Sequence, residues 1–115
     1  MNVSKELVRE VLNVEAKDVY TIGDRINYDV GPLTTYSINV YELAFKVKEW
    51  VNKFGYIIAS QTYNGIYRAT LTKDIPNPKR AHRAHIVSDV SEVDAIFKAG
   101  EWVLKHLKRR KHENI

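Results

Sequence analysis

The chain has 115 residues, 44% of them hydrophobic and none of them cysteine, with a formal charge of +4. That length suits one compact domain burying roughly two-thirds of the surface of its unfolded chain, with no room for a second. The missing cysteines exclude disulfide staples, thiolate metal sites and thiol nucleophiles, and make a reducing compartment the natural default.

The opening residues MNVSKELVREV carry charges every few positions. They lack the apolar run of a secretory signal, and no stretch of about 20 apolar residues occurs anywhere, so a cytoplasmic protein without a membrane partner is expected. The charge is unevenly placed. Residues 1–104 hold 13 basic and 13 acidic side chains, and the excess lies in KHLKRRKHENI, where Lys105, Lys108, Arg109, Arg110 and Lys111 face Glu113 alone. Residues 1–45 have four basic and seven acidic side chains, and residues 46–88 have eight and two. Such polarity either steers an anionic partner to the middle of the chain or draws the two parts together, within the fold or across a dimer.

In chain order, Leu7, Val8, Val11 and Leu12 recur at helical spacing behind Ser4, which can cap the free N–H groups of a short amphipathic helix. From Asp18 to Asn39, β-branched and aromatic residues broken by Gly23 and Gly31-Pro32 predict two or three short strands. Asn39 with Glu42 forms a capping-box pattern. The helical repeat Val40, Leu43, Ala44, Val47, Trp50, Val51, Phe54 follows, with Gly55 able to end the helix at positive φ.

Next come YIIASQTY and IYRATLTK around Asn64-Gly65, a dipeptide suited to a tight hairpin. DIPNPKR reads as an exposed loop before a third strand, AHRAHIVSDV. Asp89 or Ser91 can cap the last helix, which runs through Val93, Ile96, Phe97, Gly100, Val103, Leu104 and Leu107. The expected fold is α+β, in the order α-β-β-(β)-α-β-β-β-α, with helices on one face of a mainly antiparallel sheet. Residues 1–108 form the single domain and 109–115 a basic C-terminal tail.

FKVKEWVNK at 45–53 returns as FKAGEWVLK at 97–105, with six of nine positions identical. At about 100° per residue, Ala44, Val47, Trp50 and Val51 match Ile96, Ala99, Trp102 and Val103 on an apolar side. Lys46, Glu49 and Lys53 match Lys98, Glu101 and Lys105 on the opposite side. The repeat therefore reads as one packing solution used twice, a pseudo-symmetric helix pair whose Lys-Glu spacing supports the helices. The copies diverge at Lys48 against Gly100, and a glycine inside a helix suggests close approach of another element.

A search for chemistry finds no phosphate loop, nucleophile elbow or HExxH pattern. His82 and His85 stand three apart, which on a strand puts their side chains on opposite faces, and Asp89, Glu92 and Asp94 suit a helix start. No catalytic residue, metal ligand or cofactor is expected. Two surfaces stand out instead. Trp102, at the margin of its apolar arc, and the hairpin residues Tyr63 and Tyr67 are candidates for contact with a protein partner or a second copy. Lys79, Arg80 and Arg83, with Lys108, Arg109, Arg110 and Lys111, are candidates for nucleic-acid contact.

From residue 40 onward the order helix, three strands, helix is similar to that of double-stranded RNA-binding domains. The resemblance is one of topology: the last helix starts with acidic SEVDAIFKAG and the hairpin reads YNGIY, so the phosphate-binding residues of that family have no counterparts. In YELAFKVKEW, the following GY and AIFKAGEW, residues 40–104 also resemble small uncharacterised proteins of bacteriophage and prophage type. That resemblance implies a small accessory factor in a bacterial cytoplasm. Together these features predict a non-enzymatic interaction module binding a protein or itself, with nucleic-acid binding as the alternative.

Overall fold

A computed structural model describes residues 3–73 and 82–113, of which 82–84 and 109–113 in backbone only. The elements are α1 (Lys5–Leu12), β1 (Asp18–Ile22), β2 (Arg25–Gly31), β3 (Thr34–Asn39), α2 (Val40–Asn52), β4 (Tyr56–Tyr63), β5 (Ile66–Lys73), β6 (His82–Asp89) and α3 (Glu92–Glu113). The α+β class and the element order are those expected. The strands divide into two antiparallel three-stranded sheets, ordered β1-β2-β3 and β4-β5-β6. DIPNPKR lies outside the described residues. The basic residues set apart as a tail continue α3 as far as Glu113.

Local signals act where they were read. Ser4 Oγ accepts the N–H of Leu7 at 3.0 Å. Asn39 Oδ1 accepts the N–H of Tyr41 at 2.8 Å, which caps α2 without the reciprocal Asn39–Glu42 bonds of a capping box. Ser91 caps α3, its carbonyl accepting the N–H of Ala95 at 3.0 Å and its Oγ the N–H of Asp94 at 3.4 Å. Asn64 and Gly65 both take positive φ, 51° and 76°, the requirement of a two-residue hairpin turn whose twist matches its strands.

Helices α2 and α3 pack against each other and on one face of β4-β5-β6, while α1 closes over both helices and touches β1. The core runs from Leu7 and Val8 through Leu43, Val47, Val51, Phe97 and Val103 to Ala69 and Leu71. Helix α3 meets its neighbours at Gly100: a Cβ there would lie 2.7 Å from Val47 Cγ1 and 3.3 Å from Leu7 Cδ2. The glycine expected to admit a close neighbour admits two. Backbone Cα extents of 52 × 44 × 18 Å leave room across the thin direction for about two layers, given a sheet-to-layer spacing of ~10 Å.

The two copies of the repeat are alike in backbone and unlike in surroundings. Phe97 is wholly buried, whereas its counterpart Phe45 is 62% exposed. Trp50 is buried edge-on to Phe54, with ring centroids 5.2 Å apart, whereas Trp102 is half-buried. The shared sequence sets a helix; the neighbours decide which aromatic ring is covered.

Candidate functional site

A cleft of about 800 Å³ lies where the two sheets approach α3. That volume is within the usual range for ligand sites. Its floor is α3, through Lys98, Glu101, Trp102 and Lys105. One wall is β6, through His85 and Val87; the other is β1, through Val19, Tyr20 and Thr21, with Val3 and Ser4 at the corner.

Trp102 is held in place by aromatic neighbours. The His85 and His106 imidazoles stack on its indole at 4.9 Å and 5.0 Å between centroids, with interplanar angles of 11° and 7°. Tyr56 meets it edge-on at 5.9 Å. Parallel offset and edge-to-face contacts of this kind are the favoured aromatic geometries, so neighbours on three sides set the orientation of the ring. His106 stands four residues after Trp102, a helical spacing visible in the sequence. His85 arrives from a distant strand and has no such signal.

A bulge governs β6. His85 pairs with Leu71 and Arg83 with Thr72, leaving residue 84 as the extra residue; His82 then pairs with Lys73. Cross-strand partners share a face, and Leu71 and Lys73 are two apart on β5, so positions 82 and 85 fall on the same face of the sheet. The expectation that an interval of three puts them on opposite faces fails because it assumed a regular strand.

The polar side of the second repeat is only partly solvated: Lys98 and Lys105 are exposed, and Glu101 is half-buried. Glu101 receives the Ser4 N–H at 2.8 Å and the Ser4 hydroxyl at 3.0 Å, tying the start of α1 to α3 across 97 residues of sequence. Replacing Ser4 with alanine removes both hydroxyl contacts, the helix cap and the bond to Glu101, and keeps the backbone N–H bond. The expected loss is about 1–2 kcal/mol in urea unfolding. Glu49→Ala, at the exposed matching position, should change stability by less than about 0.5 kcal/mol.

Lys98 reaches Asp89 Oδ2 at 2.7 Å and the Ser88 carbonyl at 3.3 Å. The Lys98 hydrogen bond holds the Asp89 carboxyl below its ordinary value, outweighing desolvation and helped by the N–H groups of Val90 and Ser91. A carboxyl depressed in the fold stabilises it above its unfolded pKa of about 3.9, and that contribution is lost as pH falls through the folded value. Thermal midpoints should therefore drop more steeply below about pH 4 in the parent chain than in Asp89→Asn. The difference should shrink with added salt, because Lys98 is more than half exposed.

The other anticipated residues do not gather into one site. Tyr63 pairs with Ile66, and Tyr67 with Thr62, so the two tyrosines lie on opposite faces of the hairpin. Tyr63 is 69% exposed on the face away from the helices, with Ile57 and Ile66 also exposed there, while Tyr67 packs against the core. Lys79 and Arg80 lie outside the described residues. Arg83 is on β6, Lys108 is exposed on α3, and Arg109, Arg110 and Lys111 continue that helix. The basic end of α3 and the ends of β5 and β6 share one end of the molecule: the Lys73 ammonium lies 4.3 Å from the Tyr56 ring, which His106 meets edge-on at 6.5 Å.

Among the described residues no group of three or more histidine, aspartate or glutamate side chains is placed to hold a metal ion. No helix among them is long and apolar enough to cross a membrane. Family models, curated proteins and solved structures provide no match to the chain.

Proposed function

We propose that the chain is a small non-enzymatic interaction module that binds a protein partner through the Trp102 cleft. One observation carries this reading: a half-buried tryptophan, fixed by His85, His106 and Tyr56, lies in the floor of an 800 Å³ cleft. Preorganised aromatic side chains in pockets are the usual energetic centres of protein interfaces, because little side-chain freedom remains to be lost on binding.

The test is a binding measurement with a partner captured from cell extract. Trp102→Ala should weaken capture by ~30-fold, the equivalent of about 2 kcal/mol, while its circular dichroism stays that of a folded chain. Tyr63→Ala, on the far face of the hairpin, should leave affinity unchanged. Equal affinity for Trp102→Ala and the parent would refute the assignment.

A second reading, nucleic-acid binding, is favoured by the basic end of α3 lying beside the ends of β5 and β6. It predicts affinity that falls steeply with salt. Deleting residues 106–115 and reversing Lys79, Arg80 and Arg83 should then abolish binding, and unchanged binding would end this reading.

A further inference from the structure

We propose that the occupant of the cleft is an extended, acidic peptide segment of a protein partner, added as a strand to the free edge of β1. This rests on the reading of the Trp102 cleft as a protein-binding site. The backbone of β1 provides the first argument. Successive side chains of a strand point to opposite faces, yet Val19, Tyr20 and Thr21 all line the cleft. Three residues in a row reach one cleft along the edge of a strand. Among the described residues β1 pairs with β2 alone, and its register is unbroken from Asp18 to Ile22. The outward N–H and C=O groups of a regular edge are a template for another extended chain.

What lies opposite that edge gives the second argument. Trp102 and Val87 offer apolar contact to one set of alternate side chains of an added strand. On the other wall, β6 carries a bulge at residue 84 and is regular from His85 to Asp89.

Charge supplies the third argument. The carboxylate of Glu101 is occupied by Ser4, and the ammonium of Lys98 by Asp89. Lys105 is exposed and makes no ion pair among the described residues. Lys108, also exposed, follows it one turn along α3, and the chain's basic excess is concentrated from Lys105 to Lys111. Carboxylates on the added strand complement that end of the cleft.

The experiment uses the full chain and two short capped peptides, one alternating valine with glutamate and one alternating valine with lysine, with oligothymidylate as a third probe. The valine–glutamate peptide should bind about tenfold or more tighter than the valine–lysine peptide. It should also slow amide hydrogen exchange at β1 and shift the Trp102 indole resonance. Lys105→Glu, an exposed change that leaves the core intact, should reverse the preference.

Equal binding of the two peptides, protection at β6 or on the outer face of β4-β5-β6, or no reversal by Lys105→Glu would overturn the proposal. So would oligothymidylate producing the β1 protection when the peptide does not. If a captured partner depends on Trp102 but the valine–glutamate peptide leaves β1 unprotected, the binding site stands and the acidic strand falls. If neither depends on Trp102, both fall.

Discussion

Phe97→Ala should lose about 3–5 kcal/mol of folding stability, while Phe45→Ala, the same change at the matching position of the repeat, should lie within about 0.5 kcal/mol. The sequence around the two is nearly the same, so propensity and local spacing cancel in the comparison. What differs is burial: Phe97 has no exposed surface and Phe45 is 62% exposed. Removing Phe97 forfeits its transfer free energy and leaves a cavity between α3 and its neighbours, which the surrounding core fills only in part. A domain of this size has about 5–15 kcal/mol in total, so Phe97→Ala takes a large share. Urea unfolding of the two variants measures the contrast. Equal losses would mean that the copies share an environment after all.

The second large effect concerns Gly100. Gly100→Leu is expected to destabilise the fold by about 3 kcal/mol or more, at the upper end of overpacking costs. Even the first carbon of a side chain would sit 2.7 Å from Val47 Cγ1, and Leu7 closes the other side at 3.3 Å. Neither neighbour has exposed surface into which to retreat, and valine's branched side chain has a stiff χ1 in a helix. Gly100→Ala sets two effects against each other. Helix propensity gains about 1 kcal/mol, while crowding costs about 1–3 kcal/mol, so a net loss of up to about 2 kcal/mol is expected. Val47→Ala makes room. The double variant Val47→Ala/Gly100→Ala should therefore lose less than the sum of the singles, with a coupling of about 0.5–3 kcal/mol. Strict additivity would contradict the packing at this junction.

Much of the fold is readable from local chemistry. Ser4, Asn39 and Ser91 cap helices because a short polar side chain before an apolar repeat has an obvious use, and Asn64-Gly65 turns because few other dipeptides tolerate its geometry. Gly100 is legible as a close approach, although not the identity of its two neighbours. The division into two sheets is not legible, because strand order depends on contacts that no local pattern encodes.

The site is harder to read than the fold for the same reason. Trp102 stands out by its place on the helical wheel, and His106 by its spacing from Trp102. His85, Glu101 and β1 become part of the site through tertiary placement: a bulge resets the phase of β6, and Ser4 turns an expected surface glutamate into a clasp. Tyr63 and Tyr67 show the opposite case. Four residues apart across a two-residue turn, they look like a pair, yet the hairpin register sends them to opposite faces.

The repeat also shows a structural asymmetry on which the proposed function rests. In α2 the shared tryptophan completes the core; in α3 it borders a cleft whose other wall is β1, which pairs with β2 alone among the described residues. The most direct test of that assignment is photo-crosslinking in cell extract from two positions, Tyr20→benzoylphenylalanine beside the cleft and Tyr63→benzoylphenylalanine on the opposite sheet face. A specific protein adduct at position 20, lost on adding Trp102→Ala and absent from position 63, is the expected result. An adduct that forms equally from position 63, or survives Trp102→Ala at position 20, would contradict the account.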